Sequence, residues 1–426
     1  MRILLASNAS YVPPRGGSTR SNLVWLDQLS AAGHHCQVVA TSPGSNTSSQ
    51  REQLATELRQ QEIPAESAVR DGVVVSNRNG IEVHSVLDPT RRGAVLERCI
   101  REFRPGWVLV SSEDVGQILL RAAENAAPGR LIYLAHTPQF YPFGPASWNL
   151  DSHATDIVKR SAAIIAIGHR TAAYIQANTG VEPEIVHPPM YGAGPFAPLG
   201  PFDRGLITII NPCAVKGISI FLSLADAHPR LAFGALPGWG TTAADLDALS
   251  ARPNIELLPK VKDIAQILQR TRLLLVPSLW LEGFGLVVVE ALLRGIPVIA
   301  SDSGGLVEAK LGTGYVLPMR PIVGFESTFD EHAMPKPIIP TQDIAPWSEA
   351  LLDLLSHRDT YESESRLSRH AATGFVTSLD PAKLEKLLLT LQPRRVEAGL
   401  PRAHSLEDLS PAKRALLLQR LKAKHN

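Results

Sequence analysis

The stretch that decides the fold is Pro277-Ser278-Leu279-Trp280-Leu281-Glu282-Gly283-Phe284-Gly285-Leu286-Val287-Val288-Val289-Glu290-Ala291. An apolar run over residues 273–277 predicts a buried strand, the glycines at 283 and 285 predict a loop, and a helix is expected to begin near Leu286. Such a turn leaves the backbone N–H groups of residues 284–286 free at the positive end of a helix dipole. A diphosphate suits that position, and the glycines let the backbone approach it with no Cβ in the way.

Two glutamates flank this turn. Glu290 lies four residues beyond Leu286, and its side chain is directed back toward the loop because helical side chains tilt toward the N-terminus. A carboxylate there is a good bidentate acceptor for a ribose diol, like the acidic residue of dinucleotide sites. Glu282, within the loop, is expected to face a transferred sugar. The alternative is an ordinary strand–helix turn with glycines for packing and Glu290 on a solvated face.

Strands and helices alternate on both sides of this turn. In the same half of the chain, strands are predicted at residues 206–210, 231–235, 255–258, 273–277 and 297–300. In the first half they are predicted at residues 2–7, 36–40, 107–110, 131–135 and 163–167, with helices at 18–32, 94–102 and 169–178. This alternation predicts an α/β fold with two parallel sheets covered by helices.

Segments without periodicity divide the chain. Residues 187–201 are rich in proline and glycine, which predicts an interdomain linker. Residues 318–340 predict a long loop, after which residues 346–355 and 359–375 resume helical periodicity. The predicted organisation is an N-terminal domain over residues 1–190, a linker over 191–205, a second domain over 206–345, closing helices over 346–392 and a basic helical tail over 393–426.

Composition limits the function. The 426 residues suffice for two domains of ordinary size. Lys and Arg total 42 against 41 Asp and Glu, which argues against a nucleic-acid-binding surface and makes any anion site local. The three cysteines lack disulfide or zinc-ligand spacing, so a cytoplasmic location is expected. Residues 1–6 are too short for a signal peptide, and no apolar run is long enough to span a bilayer, which leaves only a peripheral membrane contact open.

The pattern around the two glutamates is specific. With seven residues between them, and followed by Gly295-Ile296-Pro297-Val298-Ile299-Ala300-Ser301-Asp302-Ser303-Gly304-Gly305, they resemble the retaining glycosyltransferases of family 4, which have the GT-B fold. The resemblance extends to about Phe375 and is strongest in the second domain. It implies two Rossmann-like domains facing across a cleft, with C-terminal closing helices, and transfer of a sugar from a nucleoside diphosphate sugar.

The resemblance also implies roles for the second domain. Glu282 would contact the donor sugar and Glu290 the ribose, while the amides of Phe284, Gly285 and Leu286 would meet the sugar or the phosphates. Residues 211–217 match the family loop that carries a phosphate-binding lysine, so Lys216 would neutralise the diphosphate. Taken alone, Lys216 would be interpreted as a solvated lysine before a helix. Asn211 stands where many members have an arginine, so one positive charge is missing.

The first domain carries two further matches. Pro13-Pro14-Arg15-Gly16-Gly17-Ser18 resembles the Gly-Gly loop at the cleft, which implies donor contacts from Gly16 and Gly17. Arg15 would supply the missing charge, the alternative being a surface arginine. His136 ends the predicted strand 131–135 and matches the family histidine that touches the donor sugar. A structural histidine is the alternative, but the carboxyl edge of a parallel sheet is where ligands bind.

The implied chemistry needs no cofactor, no metal and no enzyme nucleophile. The donor would be UDP- or GDP-linked, the acceptor a hydroxyl group of a small molecule or glycan, and His136, Lys216 and Glu282 would act at the reacting sugar. Four aromatic residues would line an acceptor pocket or, as the alternative, pack in the core: Phe140, Tyr141, Phe143 and Trp148.

Other functions stay open at this point. A metal-dependent glycosyltransferase would use an Asp-x-Asp site, and Asp245 and Asp247 have that spacing, although their apolar-periodic surroundings favour a solvated helix. A sugar-nucleotide epimerase or phosphorylase-like enzyme would keep the fold, and a two-lobed sugar-binding protein would bind without catalysis. Residues 405–421 resemble helical linkers at the edges of nonribosomal peptide and polyketide synthase modules, which implies docking to a megasynthase and a specialised metabolite as acceptor. A solvated terminal helix is the alternative.

Overall fold

The computed structural model describes residues 1–12, 14, 16–42, 48–60, 62–64, 71–261, 263–332 and 334–394. Arg15 and residues 395–426, which hold the predicted docking helix, lie outside the described residues. In the described part of the chain, no helix is both long enough and apolar enough to cross a membrane.

The first lobe is an α/β layer structure. Its elements in chain order are β1 (Arg2–Ser7), α1 (Gly17–Ala31), β2 (His35–Thr41), α2 (Ser48–Gln60), β3 (Val73–Arg78), β4 (Ile81–Val86), α3 (Arg92–Phe103), β5 (Trp107–Ser111), α4 (Ile118–Ala126), β6 (Leu131–Ala135), α5 (Ser152–Arg160), β7 (Ala163–Ala166), α6 (His169–Thr179) and β8 (Glu184–Ile185). The strands form one sheet in the order β3-β4-β2-β1-β5-β6-β7-β8, parallel except for the β3–β4 pair.

The second lobe repeats this plan with a smaller sheet. Its elements are β9 (Leu206–Ile210), α7 (Ile218–Ala227), β10 (Phe233–Leu236), α8 (Ala243–Ser250), β11 (Ile255–Leu257), α9 (Ala265–Leu268), β12 (Thr271–Val276), α10 (Leu286–Leu292), β13 (Val298–Ser301), α11 (Leu306–Ala309), β14 (Val316–Leu317), β15 (Gly324–Phe329), β16 (Pro335–Ile338), α12 (Ala345–Ser356), α13 (Arg358–Ser378) and α14 (Lys383–Thr390). The order β11-β10-β9-β12-β13-β14 is parallel throughout. The predicted pair of parallel α/β sheets is therefore confirmed.

Both sheets have the side-chain alternation of strands buried on two faces. In β1, Leu4 and Ala6 pack with α3 and α4 residues on one face, whereas Ile3 and Leu5 pack on the other face. The apolar cluster that contains Ile3 and Leu5 also includes residues of α10 and of one face of the second sheet. Helix α10, which carries Glu290, thus belongs to a core shared by the two lobes.

The last helices return to the first lobe. In α14, the backbone carbonyl of Leu388 accepts a hydrogen bond of 3.1 Å from the Trp107 indole, and Glu385 lies 2.9 Å from His34. Phe375 of α13 stacks on Phe284, with ring centroids 5.8 Å apart. The predicted helices at 346–355 and 359–375 are confirmed, with α13 extending three residues further.

The prediction of one long loop over residues 318–340 is wrong. This segment contains the antiparallel hairpin β15–β16, which stands apart from the two sheets. Most of its side chains are exposed or half-buried, so the segment lacks the apolar alternation from which strands are predicted. Its hydrogen bonds, rather than a buried face, define it.

Candidate active site

The predicted site residues lie where the strand order of each sheet reverses. In the first sheet the chain reverses its order between β1 and β5, and in the second sheet between β9 and β12. Loops following such neighbouring parallel strands diverge and leave a crevice at the carboxyl edge, where ligands bind in α/β proteins. The segments after β1, β5, β9 and β12 all line one cavity of about 970 Å³.

Most residues predicted for the donor line this cavity. The structure brings together His136, Lys216, Glu282, Gly16, Gly17, Asn211, Phe284, Gly285, Leu286 and Glu290, and adds Phe140 from the predicted acceptor set. Their contact with a donor stays a prediction, but their convergence from two lobes is a fact of the fold.

The loop from β12 to α10 is shaped by its glycines. Gly285 precedes the first residue of α10 with φ of +108°, a conformation that favours glycine, and a Cβ there would lie 2.7 Å from the side chain of Leu306. Gly283 meets the first lobe, because a Cβ on it would lie 1.8 Å from the backbone oxygen of His136. The Gly-Phe-Gly sequence therefore permits the loop to lie against the opposite lobe.

Lys216 and Glu282 form a tight ion pair. The Lys216 Nζ lies 2.5 Å from Glu282 Oε1, and the same oxygen accepts hydrogen bonds from Ser278 Oγ at 2.5 Å and Trp280 Nε1 at 2.9 Å. Burial raises the pKa of Glu282, but Lys216 and these hydrogen bonds outweigh it and hold the pKa below its usual range. The Lys216 ammonium also lies 4.6 Å from the centroid of the Trp280 ring. The carboxylate is thus ionised and fixed.

Glu290 also has a cationic partner, which comes from the other lobe. Arg20 of α1 donates to Glu290 Oε1 at 2.7 Å and approaches Oε2 at 3.5 Å. The Glu290 side chain is only 7% exposed, whereas that of Arg20 is 39% exposed. Sequence reasoning missed Arg20, although its place one turn into the helix that follows Gly16 and Gly17 was a usable signal.

His136 is held by a buried hydrogen-bond chain. Its Nε2 lies 2.9 Å from Asn22 Oδ1, and the Asn22 amide donates to Ser111 Oγ at 2.9 Å. Because the Asn22 amide nitrogen donates to Ser111, its oxygen accepts from His136, which assigns the proton to Nε2. Burial lowers the pKa of His136, against the opposing influence of Glu113. The imidazole is therefore neutral near pH 7.

Asn211 lies at the end of β9 and carries no charge into the cavity. It has φ of +57°, and its Oδ1 accepts a hydrogen bond of 2.9 Å from the backbone N–H of Gly240. Its side chain therefore holds the loop after β10. Position 211 therefore supplies a hydrogen-bond acceptor to the Gly240 backbone and no positive charge.

The predicted acceptor residues separate into two groups. Phe140 lines the cavity, and Trp148 contacts the second lobe through Trp280, with ring centroids 6.1 Å apart. Tyr141 and Phe143 are 0% and 4% exposed and belong to the core of the first sheet, where they pack on each other at 5.3 Å. The packed-core alternative describes these two residues.

Further residues that were not predicted line the cavity. Trp239, which is 37% exposed, lies 5.8 Å from the Trp280 ring and borders Gly16. Glu113 follows β5, Lys260 follows β11, and His332 comes from the β15–β16 hairpin. No local pattern singled out these positions, since each reaches the cavity through the packing of its loop.

The Asp-x-Asp spacing falls on a helix, as expected. Asp245 lies in α8, where its carboxylate accepts hydrogen bonds from the Thr242 backbone N–H and hydroxyl at 2.9 and 2.8 Å, in a capping box. It does not contribute to the main cavity. Within the described ranges, the side chains of His169, His187 and Glu308 approach one another within 4.8 Å outside that cavity, but Glu308 already accepts the His169 and Arg170 amides at 2.9 and 3.0 Å.

Two family models match successive parts of the chain. The model described as Glycosyltransferase Family 4 matches residues 15–189, and the model described as Glycosyl transferases group 1 matches residues 217–357. Together they cover both lobes.

Among curated proteins, the alpha-1,3/1,6-mannosyltransferase alg-2 of Neurospora crassa is 35% identical over 123 residues. The chain spans about a quarter of the length of the curated relatives it matches.

Solved structures are similar over almost the whole chain. HepE of Anabaena, solved in complex with UDP and glucose, is 16% identical with a TM-score of 0.60, and the alignment covers 92% of this chain and 100% of that one. A TarM variant of S. aureus, solved with fondaparinux, alpha-GlcNAc-glycerol and UDP, is 10% identical with a TM-score of 0.63, over 91% of this chain and 99% of that one. At these identities the likeness concerns the fold.

Proposed function

Because this chain is a glycosyltransferase of family 4 with the GT-B fold, we propose that it transfers a sugar from a nucleoside diphosphate sugar to a hydroxyl group. We propose further that the transfer retains the anomeric configuration and needs no metal. The observation that carries the proposal is the meeting of Lys216, Glu282 and Glu290 in one cavity at the switch points of both sheets.

The donor half of the proposal rests on three side chains. Glu290 has the nearly buried carboxylate that a ribose diol requires, and Lys216 has the charge that a diphosphate requires. Glu282, held ionised beside Lys216, would accept hydroxyl hydrogen bonds from the transferred sugar. HepE and the TarM variant were solved with UDP, which supports UDP-sugars as the first donors to test and GDP-sugars as the next.

The proposed step is electrostatic. The bond between the anomeric carbon and the diphosphate oxygen breaks, the acceptor oxygen attacks the same face, and the acceptor proton passes to a diphosphate oxygen. Negative charge grows on the leaving diphosphate, where Lys216 and the amides of Phe284, Gly285 and Leu286 would stabilise it. His136 is neutral, and its Nε2 proton is already donated to Asn22, so a hydroxyl group of the sugar would donate to Nδ1, which has no partner among the described residues.

The acceptor half is less constrained by chemistry. A cavity of about 970 Å³ lies at the upper end of the range for small-molecule sites, about 300–1,000 Å³, which supports room for donor and acceptor together. Phe140 and Trp239 are among the aromatic residues that line it, and aromatic faces suit sugar rings or planar metabolites. A specialised metabolite as acceptor stays part of the proposal.

Thermal unfolding with UDP-, GDP-, ADP- and dTDP-sugars tests the donor half, because a ligand that binds the native state raises the midpoint with occupancy. Glu290→Gln should weaken the binding of the effective nucleotide about 10- to 100-fold, since hydrogen bonds to a charged group contribute about 1.5–3 kcal/mol. Glu349→Gln, on the exposed side of α12, is the matched control and should behave like the parent. If no sugar nucleotide stabilises the full chain and both variants match the parent, the proposal is contradicted and a non-catalytic sugar-binding function is favoured instead.

Product analysis tests the chemistry. Release of nucleoside diphosphate only in the presence of an acceptor distinguishes transfer from epimerisation. Full activity in excess EDTA is expected, and an α-linked product from an α-linked donor, seen by NMR, is expected for retention. Loss of activity in EDTA, or a β-linked product, would contradict the respective part of the proposal.

A further inference from the structure

The donor site has fewer free cations than a diphosphate requires. Among the described residues that line the cavity are three carboxylates and three lysine or arginine side chains: Glu113, Glu282, Glu290, Arg20, Lys216 and Lys260. Lys216 is engaged by Glu282, and Asn211 contributes no charge. Lys260 follows the edge strand β11, which two strands separate from β12, and the loop after β12 leads to Glu282. A diphosphate bound beside Lys216 would therefore need a second cation from elsewhere.

Arg20 is the arginine among the described residues that line the cavity. It lies on α1, one turn beyond Gly17, and a Cβ on Gly17 would be 3.1 Å from the Leu286 side chain. One turn further along both helices, Arg20 meets Glu290. The first turns of α1 and α10 thus lie against each other across the cleft, with the Arg20 guanidinium beside the carboxylate proposed to bind ribose.

The Arg20 ion pair leaves its donors available. A guanidinium has five N–H donors, and the contact to Glu290 uses one at 2.7 Å and a second, weaker one at 3.5 Å. A ribose diol that hydrogen-bonds Glu290 would compete for the same carboxylate oxygens. The diphosphate is attached to the 5′ carbon of that same ribose, so its arrival brings anionic oxygens into the neighbourhood of the displaced guanidinium. Bidentate contact with phosphate oxygens is a common arginine geometry.

We infer that Arg20 is a diphosphate-binding residue of the donor site, supplied by the first lobe in place of the arginine that is missing at position 211. This inference rests on the proposed function. The diphosphate of the donor would then contact both lobes, through Lys216 of the second lobe and Arg20 of the first. Cleft closure would then depend on the phosphate groups of the donor, not on its base or sugar alone.

Nucleotide titration of the full chain tests this role. The probe is UDP or GDP, whichever raises the unfolding midpoint of the parent more. Arg20→Ala should weaken binding about 10- to 100-fold, the loss of a charge-assisted hydrogen bond, and Arg20→Lys should recover only part of that loss, because lysine keeps the charge but not the bidentate geometry. Arg252→Ala is the matched control, because Arg252 is also held by a carboxylate, that of Asp226 at 2.7 Å, but does not line the cavity. It should bind the nucleotide like the parent.

A double-mutant cycle with Glu290→Gln separates phosphate contact from mere positioning of Glu290. If Arg20 binds the diphosphate, Arg20→Ala also weakens binding about 10- to 100-fold in the Glu290→Gln background. If Arg20 only orients Glu290, that loss disappears once the carboxylate is neutral, and the inference is overturned. Equal binding by the parent and Arg20→Ala overturns the inference alone, whereas no nucleotide binding by the parent overturns the proposed function with it.

Discussion

The contact between Gly283 and His136 makes the closed cleft sensitive to a single methyl group. A Cβ at position 283 would lie 1.8 Å from the His136 backbone oxygen and 3.0 Å from the Ile167 side chain. A backbone oxygen cannot move away by a change of rotamer, as the end of a flexible side chain can. Gly283 does not have a positive φ, so alanine meets no intrinsic backbone strain there. Gly283→Ala should therefore act as a wedge between the lobes and leave each lobe folded.

The size of the effect follows from this overlap. Cβ atoms essentially never lie within 3.0 Å of another heavy atom, so the contact must lengthen by at least 1.2 Å. A misplacement of about 1 Å between reacting groups costs roughly 100-fold in rate. We expect kcat to fall by about that factor, because Glu282 precedes the wedge directly while His136 lies on its other side. Nucleotide affinity should fall less than the rate, since Glu290 and Lys216 both belong to the second lobe and only the proposed Arg20 contact crosses the cleft.

Two measurements check this prediction. One is the rate of nucleoside diphosphate release, and the other is hydrogen exchange at the His169 and Arg170 amides, which donate across the lobes to Glu308. Gly374→Ala, on a helix where a Cβ meets nothing within 4 Å, is the control and should be as active as the parent. If Gly283→Ala keeps the rate and the amide protection of that control, the wedge does not exist and the reasoning is refuted.

Two further substitutions test the electrostatics. Lys216→Met should lower kcat about 100- to 1,000-fold at saturating donor, because an oriented positive charge at the leaving group is lost; it should also raise the pKa of Glu282, and an unchanged initial rate would contradict the assignment. Burial lowers the pKa of Lys310 from 10.5 to about 8, despite Glu364. The native state therefore loses a proton that the unfolded chain keeps, and the unfolding free energy of the parent, relative to Lys310→Met, should rise by about 1 kcal/mol from pH 7 to pH 9 in urea titrations.

The parallel strands could be predicted because burial on both faces leaves a clear trace. Runs such as 131–135 and 206–210 are almost wholly apolar, and both were predicted to the residue. The β3–β4 hairpin was not predicted, although Asn79 and Gly80, with φ of +52° and +80°, form the Asn-Gly turn that is a strong hairpin signal. The β15–β16 hairpin was beyond reach, because exposed short strands carry no periodicity.

The site was predictable only where one loop contains it. The positions from Glu282 to Glu290 lie on a single turn, so their proximity follows from local geometry. The pairing of Arg20 with Glu290 joins residues 270 positions apart and depends on how the lobes close, which no local pattern encodes. The prediction of an aromatic acceptor pocket was only partly met for another reason. Phe140 lines the cavity and Tyr141 packs in the core, although they are neighbours in sequence, because their side chains point in different directions.

The two cation–carboxylate pairs suggest how the proposed donor would be recognised. Glu282 and Glu290 are nearly buried, and an unpaired buried carboxylate would be strongly unfavourable, so each is matched, one by Lys216 and the other by Arg20. In the proposed complex a sugar nucleotide would exchange these partners: its hydroxyl groups would replace the cations at the carboxylates, and its phosphates would receive the cations. Neither part of the ligand alone would accomplish both exchanges, because a free sugar brings no phosphate for the cations and a nucleoside diphosphate brings ribose hydroxyls to Glu290 but none to Glu282. The arrangement therefore favours the intact nucleoside diphosphate sugar over its separate parts.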